Sequence, residues 1–142
     1  MGKPTQLSSM RIPTETLVAA KTLKNSDSGK CFLLDLVGGF TVTLPKVQEA
    51  GNGFCVDFKV KTSPTTAYII TEDAASDTNV LTGGASSAEL TDAAVAVYSA
   101  AYTQINLVAN QAVLGDWVTI TGDGVRFYTH VHTNVQAGAT LT

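Results

Sequence analysis

Charge is scarce in this chain. Of 142 residues, 15% are Asp, Glu, Lys or Arg, against roughly 25% in an average soluble domain. The nine basic residues are scattered singly and the net charge is −3. That pattern offers no electrostatic footprint for nucleic acid and no polybasic patch for a membrane surface. No apolar run approaches the roughly 20 residues that a membrane-spanning helix requires. Residues 1–16 (MGKPTQLSSMRIPTET) hold no apolar stretch of the export-signal kind, so folding in a cytosol is expected. Met1-Gly2 resembles a myristoylation start, but Gln6 stands where that pattern takes Ser or Thr. Two cysteines, Cys31 and Cys55, are too few for a disulfide scaffold or a zinc site. Free thiols are the expectation in a reducing compartment. A bridge requires their strands to be neighbours.

What replaces the missing charge is β-branched and small. The chain has 20 Thr and 15 Val, a quarter of all residues. Such side chains are stiff at χ1 and sit well on a pleated sheet. Its length suits one domain, and 44% hydrophobic residues suffice for a real core. A surface poor in charge and rich in Thr, Ala and Ser fits a protein held against other chains.

Periodicity then places the strands. Pro4 and Pro13 mark residues 1–16 as an extended arm. A single domain is expected over 17–142. Leu17 to Leu23 is a short apolar run closed by the polar turn Asn25-Ser26-Asp27-Ser28-Gly29. Cys31 to Leu36 is apolar at nearly every position, and Gly38-Gly39 breaks it. Phe40, Val42 and Leu44 alternate onto one face before Pro45. The clearest strand places Phe54, Val56, Phe58 and Val60 on one side and Cys55, Asp57, Lys59 and Lys61 on the other. Ala67 to Thr71 returns after a Ser63-Pro64-Thr65 turn, and 72–87 (EDAASDTNVLTGGASS) reads as a long surface loop. Over 88–102, Ser86-x-x-Glu89 resembles a helix-capping box, but Val95, Val97 and Tyr98 favour an extended segment. Gln104 to Ala109 forms another strand. Gly122-Asp123-Gly124 closes a terminal hairpin between 116–121 and 125–132. Seven or eight strands near ten-residue spacing predict a single all-β, antiparallel sandwich or barrel of jelly-roll type.

The search for chemistry returns little. No nucleophile lies in a G-x-S-x-G or Cys-Gly context, and no Gly-rich loop opens a helix. Asp35 and Asp57 lie on strands without an evident acid–base partner. The two histidines, His130 and His132, share a strand face with Arg126 and Tyr128. Three chains meeting there on an axis would gather six imidazoles around a metal ion. The plainer reading, a solvated polar face, is preferred. Glu72, Asp73, Asp77 and Asn79 supply oxygen atoms in one loop, but their spacing fits no EF-hand. Neither an enzyme nor a bound metal or cofactor is expected.

Several short runs carry a resemblance. Leu23 to Lys30 into Phe32-Leu33-Leu34-Asp35, then Phe40-Thr41-Val42-Thr43-Leu44-Pro45, then Phe58 to Tyr68 (FKVKTSPTTAY) occur in that order. Ile105 to Ala109, Gly115-Asp116-Trp117-Val118 and Gly122-Asp123-Gly124 with Phe127-Tyr128 follow. Over 22–128 this order resembles small tailed-bacteriophage virion surface proteins, which include capsid decoration (cement) proteins and trimeric fibre modules. Val125-Arg126 and the tail after Tyr128 depart from the pattern. The resemblance implies a homotrimer on the virion surface, made in the host bacterial cytoplasm, with the major capsid protein as partner. A tail-fibre or baseplate module for host attachment is the alternative. The arm's apolar side chains, Leu7, Met10 and Ile12, together with Leu17, are the expected partner-binding residues.

Overall fold

The computed structural model describes residues 11–89 and 96–142. Twelve short strands and one single-turn helix follow one another: β1 Thr14–Leu17, β2 Lys21–Thr22, β3 Cys31–Leu34, β4 Thr41–Thr43, α1 Val47–Ala50, β5 Asn52–Val60, β6 Tyr68–Thr71, β7 Leu81–Ser87, β8 Ala96–Tyr102, β9 Gln104–Leu107, β10 Trp117–Asp123, β11 Phe127–Thr133 and β12 Ala139–Leu141. They form two open sheets. The larger runs β1-β3-β5-β10-β11-β7-β8 and the smaller β12-β9-β6-β4-β2.

Alternation decides which faces meet. Phe54, Val56, Phe58 and Val60 of β5 are all buried, as the period of two requires. Phe32 and Leu34 of β3, Val118 and Ile120 of β10, and Phe127 and Val131 of β11 join them. The smaller sheet supplies Val42, Tyr68, Ile70, Ile105 and Leu107 to the same core. One hydrophobic layer therefore lies between two sheets, giving an all-β, sandwich-like domain. Within it Phe32 stacks on Phe58 at 5.5 Å, and Phe54 meets Phe127 edge-on at 5.8 Å. Tyr68 is buried, yet its hydroxyl is satisfied: it accepts from the Leu36 N–H (2.9 Å) and faces the carbonyls of Leu36 (2.8 Å) and Thr62 (2.9 Å). Burial pushes this phenol's pKa up.

Three expectations need correction. Pairing is mixed rather than antiparallel: β1–β3, β3–β5, β7–β11, β2–β4 and β4–β6 are parallel. The long loop is only half a loop, because Leu81–Ser87 is strand β7, paired on both sides by β11 and β8. Its glycines mark crowding rather than a turn. A Cβ at Gly83 would collide with the Thr129 carbonyl, and one at Gly84 would stand 2.9 Å from the Val97 carbonyl. Thirdly, the sheet starts at Thr14, inside the expected arm. Pro13 does not prevent pairing, since its carbonyl accepts from the Cys31 N–H at 2.9 Å. Leu17, grouped with the docking residues, is 5% exposed and belongs to the core. The extended reading of 96–102 agrees with β8; positions 90–95 of that stretch lie outside the described residues.

Carboxylates, two of them buried, tie the connections down. Asp116 is fully buried and accepts from the backbone and side-chain N–H groups of Asn134 (both 2.8 Å) and from the Val113 N–H (2.9 Å). Glu72, 2% exposed, accepts from the N–H groups of Asn79 (3.0 Å) and Val80 (2.8 Å). At the hairpin, Asp123 accepts from the N–H groups of Val125 (2.8 Å) and Arg126 (2.7 Å) and from the Tyr128 hydroxyl (2.9 Å). This closes the expected Gly-Asp-Gly turn.

Candidate functional site

Two surfaces stand out, both on the large sheet. The first is the centre of its outer face. Hairpin register places Trp117 opposite His132 and Thr119 opposite His130. The parallel pairing of β7 then sets Gly84 beside His130 and Ser86 beside His132. The Trp117 ring lies 5.2 Å from the His130 ring and 5.5 Å from the His132 ring, the latter stacked at 27°. Ser86 Oγ lies 3.1 Å from His132 Nδ1 and 3.4 Å from His130 Nε2. Gly84, Ala85, Ser86, Val97, Tyr98 and His130 border a hollow of about 320 Å³. At its rim Tyr98 is 72% exposed.

The second surface is the β1 edge, where the N-terminal segment joins the domain. Glu15 forms ion pairs with Lys21 and with Lys30 (3.2 Å), and Lys30 also reaches Asp27 at 2.6 Å. The hydrogen bond from Lys21 holds the Glu15 carboxyl below its ordinary range, with Lys30 adding to it. Burial raises the pKa of Asp27, but the Lys30 and Lys24 N–H bonds outweigh it, and the net shift is downward. This cluster clamps β1 to the turn over 24–30. Beyond the clamp Ile12 is 64% exposed, at the edge of a hollow of about 230 Å³ with Lys30, Cys55 and Asp57. Leu7 and Met10 lie outside the described residues. Of the four expected docking residues, then, Ile12 is placed at the surface and Leu17 in the core.

The remaining candidates do not converge. Among the described residues no three His, Cys, Asp or Glu side chains gather as metal ligands. In the 72–80 loop, Glu72 is committed to backbone N–H groups, Asp77 accepts from the Val47 N–H (2.9 Å) and Asp73 from the Ala75 N–H (3.2 Å). Asp35 binds Lys61 (2.7 Å) and Thr62 (2.5 Å). A hollow of about 610 Å³ is lined by Lys24 and Lys46 with Glu49 and Asp73, whose charges cancel. Cys31 and Cys55 lie on adjacent strands, but Cys31 pairs with Asp57, and both thiols are free. Burial raises the Cys31 pKa.

No protein-family model and no curated protein sequence matches this chain. The outer-face cluster was half legible. Counting back from the Gly122-Asp123-Gly124 turn brings Trp117 to His132. No local signal brings Ser86 there, because its strand arrives by a parallel pairing from some forty residues upstream.

Proposed function

We propose that this chain is a capsid decoration protein that docks on the outside of an assembled bacteriophage head and stabilises it. The observation that carries the reading is the division of labour at β1. The described core begins at Leu17, the ion cluster of Glu15, Lys21, Lys30 and Asp27 fastens the strand, and Ile12 projects from the edge into solvent. Leu7 and Met10 precede it. Apolar side chains ahead of a closed core gain most from a second surface. The sequence resemblance to virion surface proteins supplies the identity of that surface, the major capsid protein. A low-charge domain of this kind also suits contacts between copies, and the reading includes a homotrimer.

Stabilisation follows from mass action. A protein that binds the assembled shell and not its dissociated subunits shifts the equilibrium toward the shell. The test adds purified protein to expanded heads that lack it and follows heat-induced DNA release. Decoration raises the release temperature in a saturable manner. Unchanged release at saturating protein would end the proposal. The alternative, a tail-fibre or baseplate module, predicts binding to tails and none to heads.

A further inference from the structure

The outer-face cluster turns two imidazoles toward one hydroxyl. Two imidazole nitrogens, His130 Nε2 and His132 Nδ1, approach one hydroxyl oxygen, Ser86 Oγ, at 3.4 and 3.1 Å. A serine hydroxyl has a single proton. It can donate to one of these nitrogens, never to both. With one ring in its N–H tautomer the hydroxyl accepts from that ring and donates to the other; when both nitrogens present lone pairs, as metal ligation requires, one is left without a donor. A cation at their meeting point would take electron density from both rings and from the hydroxyl oxygen at once.

We propose that His130, His132 and Ser86 form a single-chain chelate for a divalent transition-metal ion of the imidazole-preferring class, such as Ni²⁺, Cu²⁺ or Zn²⁺. Three features support it. Strand period two places side chains i and i+2 on one face, so the two rings share an outlook by construction. Trp117 packs against both rings, which restricts their rotation before any ion arrives. Finally, His130 is exposed and His132 half-buried, leaving coordination positions open to water. Converting hydrogen-bond distances into metal–nitrogen bonds of about 2.0–2.1 Å needs side-chain movements of about an ångström.

Local charge permits a cation. Asp57 and Lys59 lie one strand beyond, opposite Thr119 and Trp117, with opposite signs. Arg126 stands at the hairpin turn beside Asp123, four residues before His130. That separates the two Cα atoms by roughly 13 Å along an extended chain. The site differs from an axial cage: all its protein ligands come from one copy, so it needs no oligomer and is independent of the decoration reading.

The chain's one tryptophan, Trp117, is the reporter. The experiment titrates Ni²⁺ into full-length protein in which Cys55, an exposed thiol and competing ligand, is changed to Ser. Tryptophan fluorescence and calorimetry are read together at neutral pH. Saturable quenching at one ion per chain, reversed by EDTA and weakened in acid, is expected, because imidazole must be deprotonated to ligate. His130→Ala and His132→Gln should each weaken binding by roughly tenfold or more, the loss seen when even an outer-shell partner is removed. Ser86→Ala should weaken it less. Circular dichroism checks that each variant remains folded. Quenching that never saturates, that survives His130→Ala unchanged, or that saturates at one ion per three chains would overturn the proposal.

Discussion

Removing residues 2–10 and truncating Leu17 should have opposite consequences, although the two sites are neighbours in sequence. Leu17 is 5% exposed, closes the parallel β1–β3 ladder opposite Leu34, and joins the central core. Leu→Ala at a buried site costs about 2–5 kcal/mol, and an edge strand that can partly collapse belongs at the low end, about 2–3 kcal/mol. For a domain of this size each kcal/mol lowers the melting temperature by roughly 3–5 °C, so Leu17→Ala should melt about 10 °C lower. Deleting 2–10 removes no member of the described core and leaves Pro13, whose carbonyl receives the Cys31 N–H. Its melting temperature should stay within about a degree or two of the parent. Its affinity for expanded heads should fall measurably, because Leu7 and Met10 are gone. Calorimetry and co-sedimentation with heads read the two effects separately. If the truncated protein unfolds, the arm belongs to the core. If it binds heads at full strength, the anchor lies elsewhere. A Leu17→Ala protein with unchanged melting would mean that β1 contributes nothing to the domain.

Two further outcomes follow from the buried and paired carboxylates. Asp116→Ala deprives three N–H donors of their acceptor, and should cost about 3 kcal/mol in chemical denaturation; a loss below about 1 kcal/mol would show that water replaces the carboxylate. Glu15, Asp27, Asp35 and Asp123 all have pKa values lowered by folding. The stability they contribute is therefore complete above their unfolded values near pH 4 and disappears as pH falls through their lower folded values. Denaturation midpoints should hold between pH 7 and 5 and drop steeply below about pH 4, and Asp27→Asn should shrink that drop; an equally steep drop in the variant would remove Asp27 from the account.

How much was legible depends on whether a strand's partner is local. The alternation of Phe54, Val56, Phe58 and Val60 and the Gly-Asp-Gly hairpin carry their own evidence, and both stand where the periodicity places them. Leu81–Ser87 does not. Its Gly-Gly and Ser-Ser pairs signal a loop locally, while the glycines answer the close approach of Thr129 and Val97 on the neighbouring strands. Parallel pairings such as β3–β5 and β7–β11 join segments tens of residues apart, and no turn chemistry announces them. The same limit hid Ser86 from the histidines. Leu17 was misplaced because Pro13 suggests an end to pairing, whereas a proline at a strand's approach still offers its carbonyl.

The central claim is that this chain sits on a phage head, and its position in a particle tests that most directly. A cryo-electron-microscopic reconstruction of virions containing it should show the two-sheet domain in many copies over the capsid surface. Density for the N-terminal arm should run into the major capsid protein from the β1 edge. Copies confined to the tail, or particles in which the domain is absent while the protein remains free, would contradict the account.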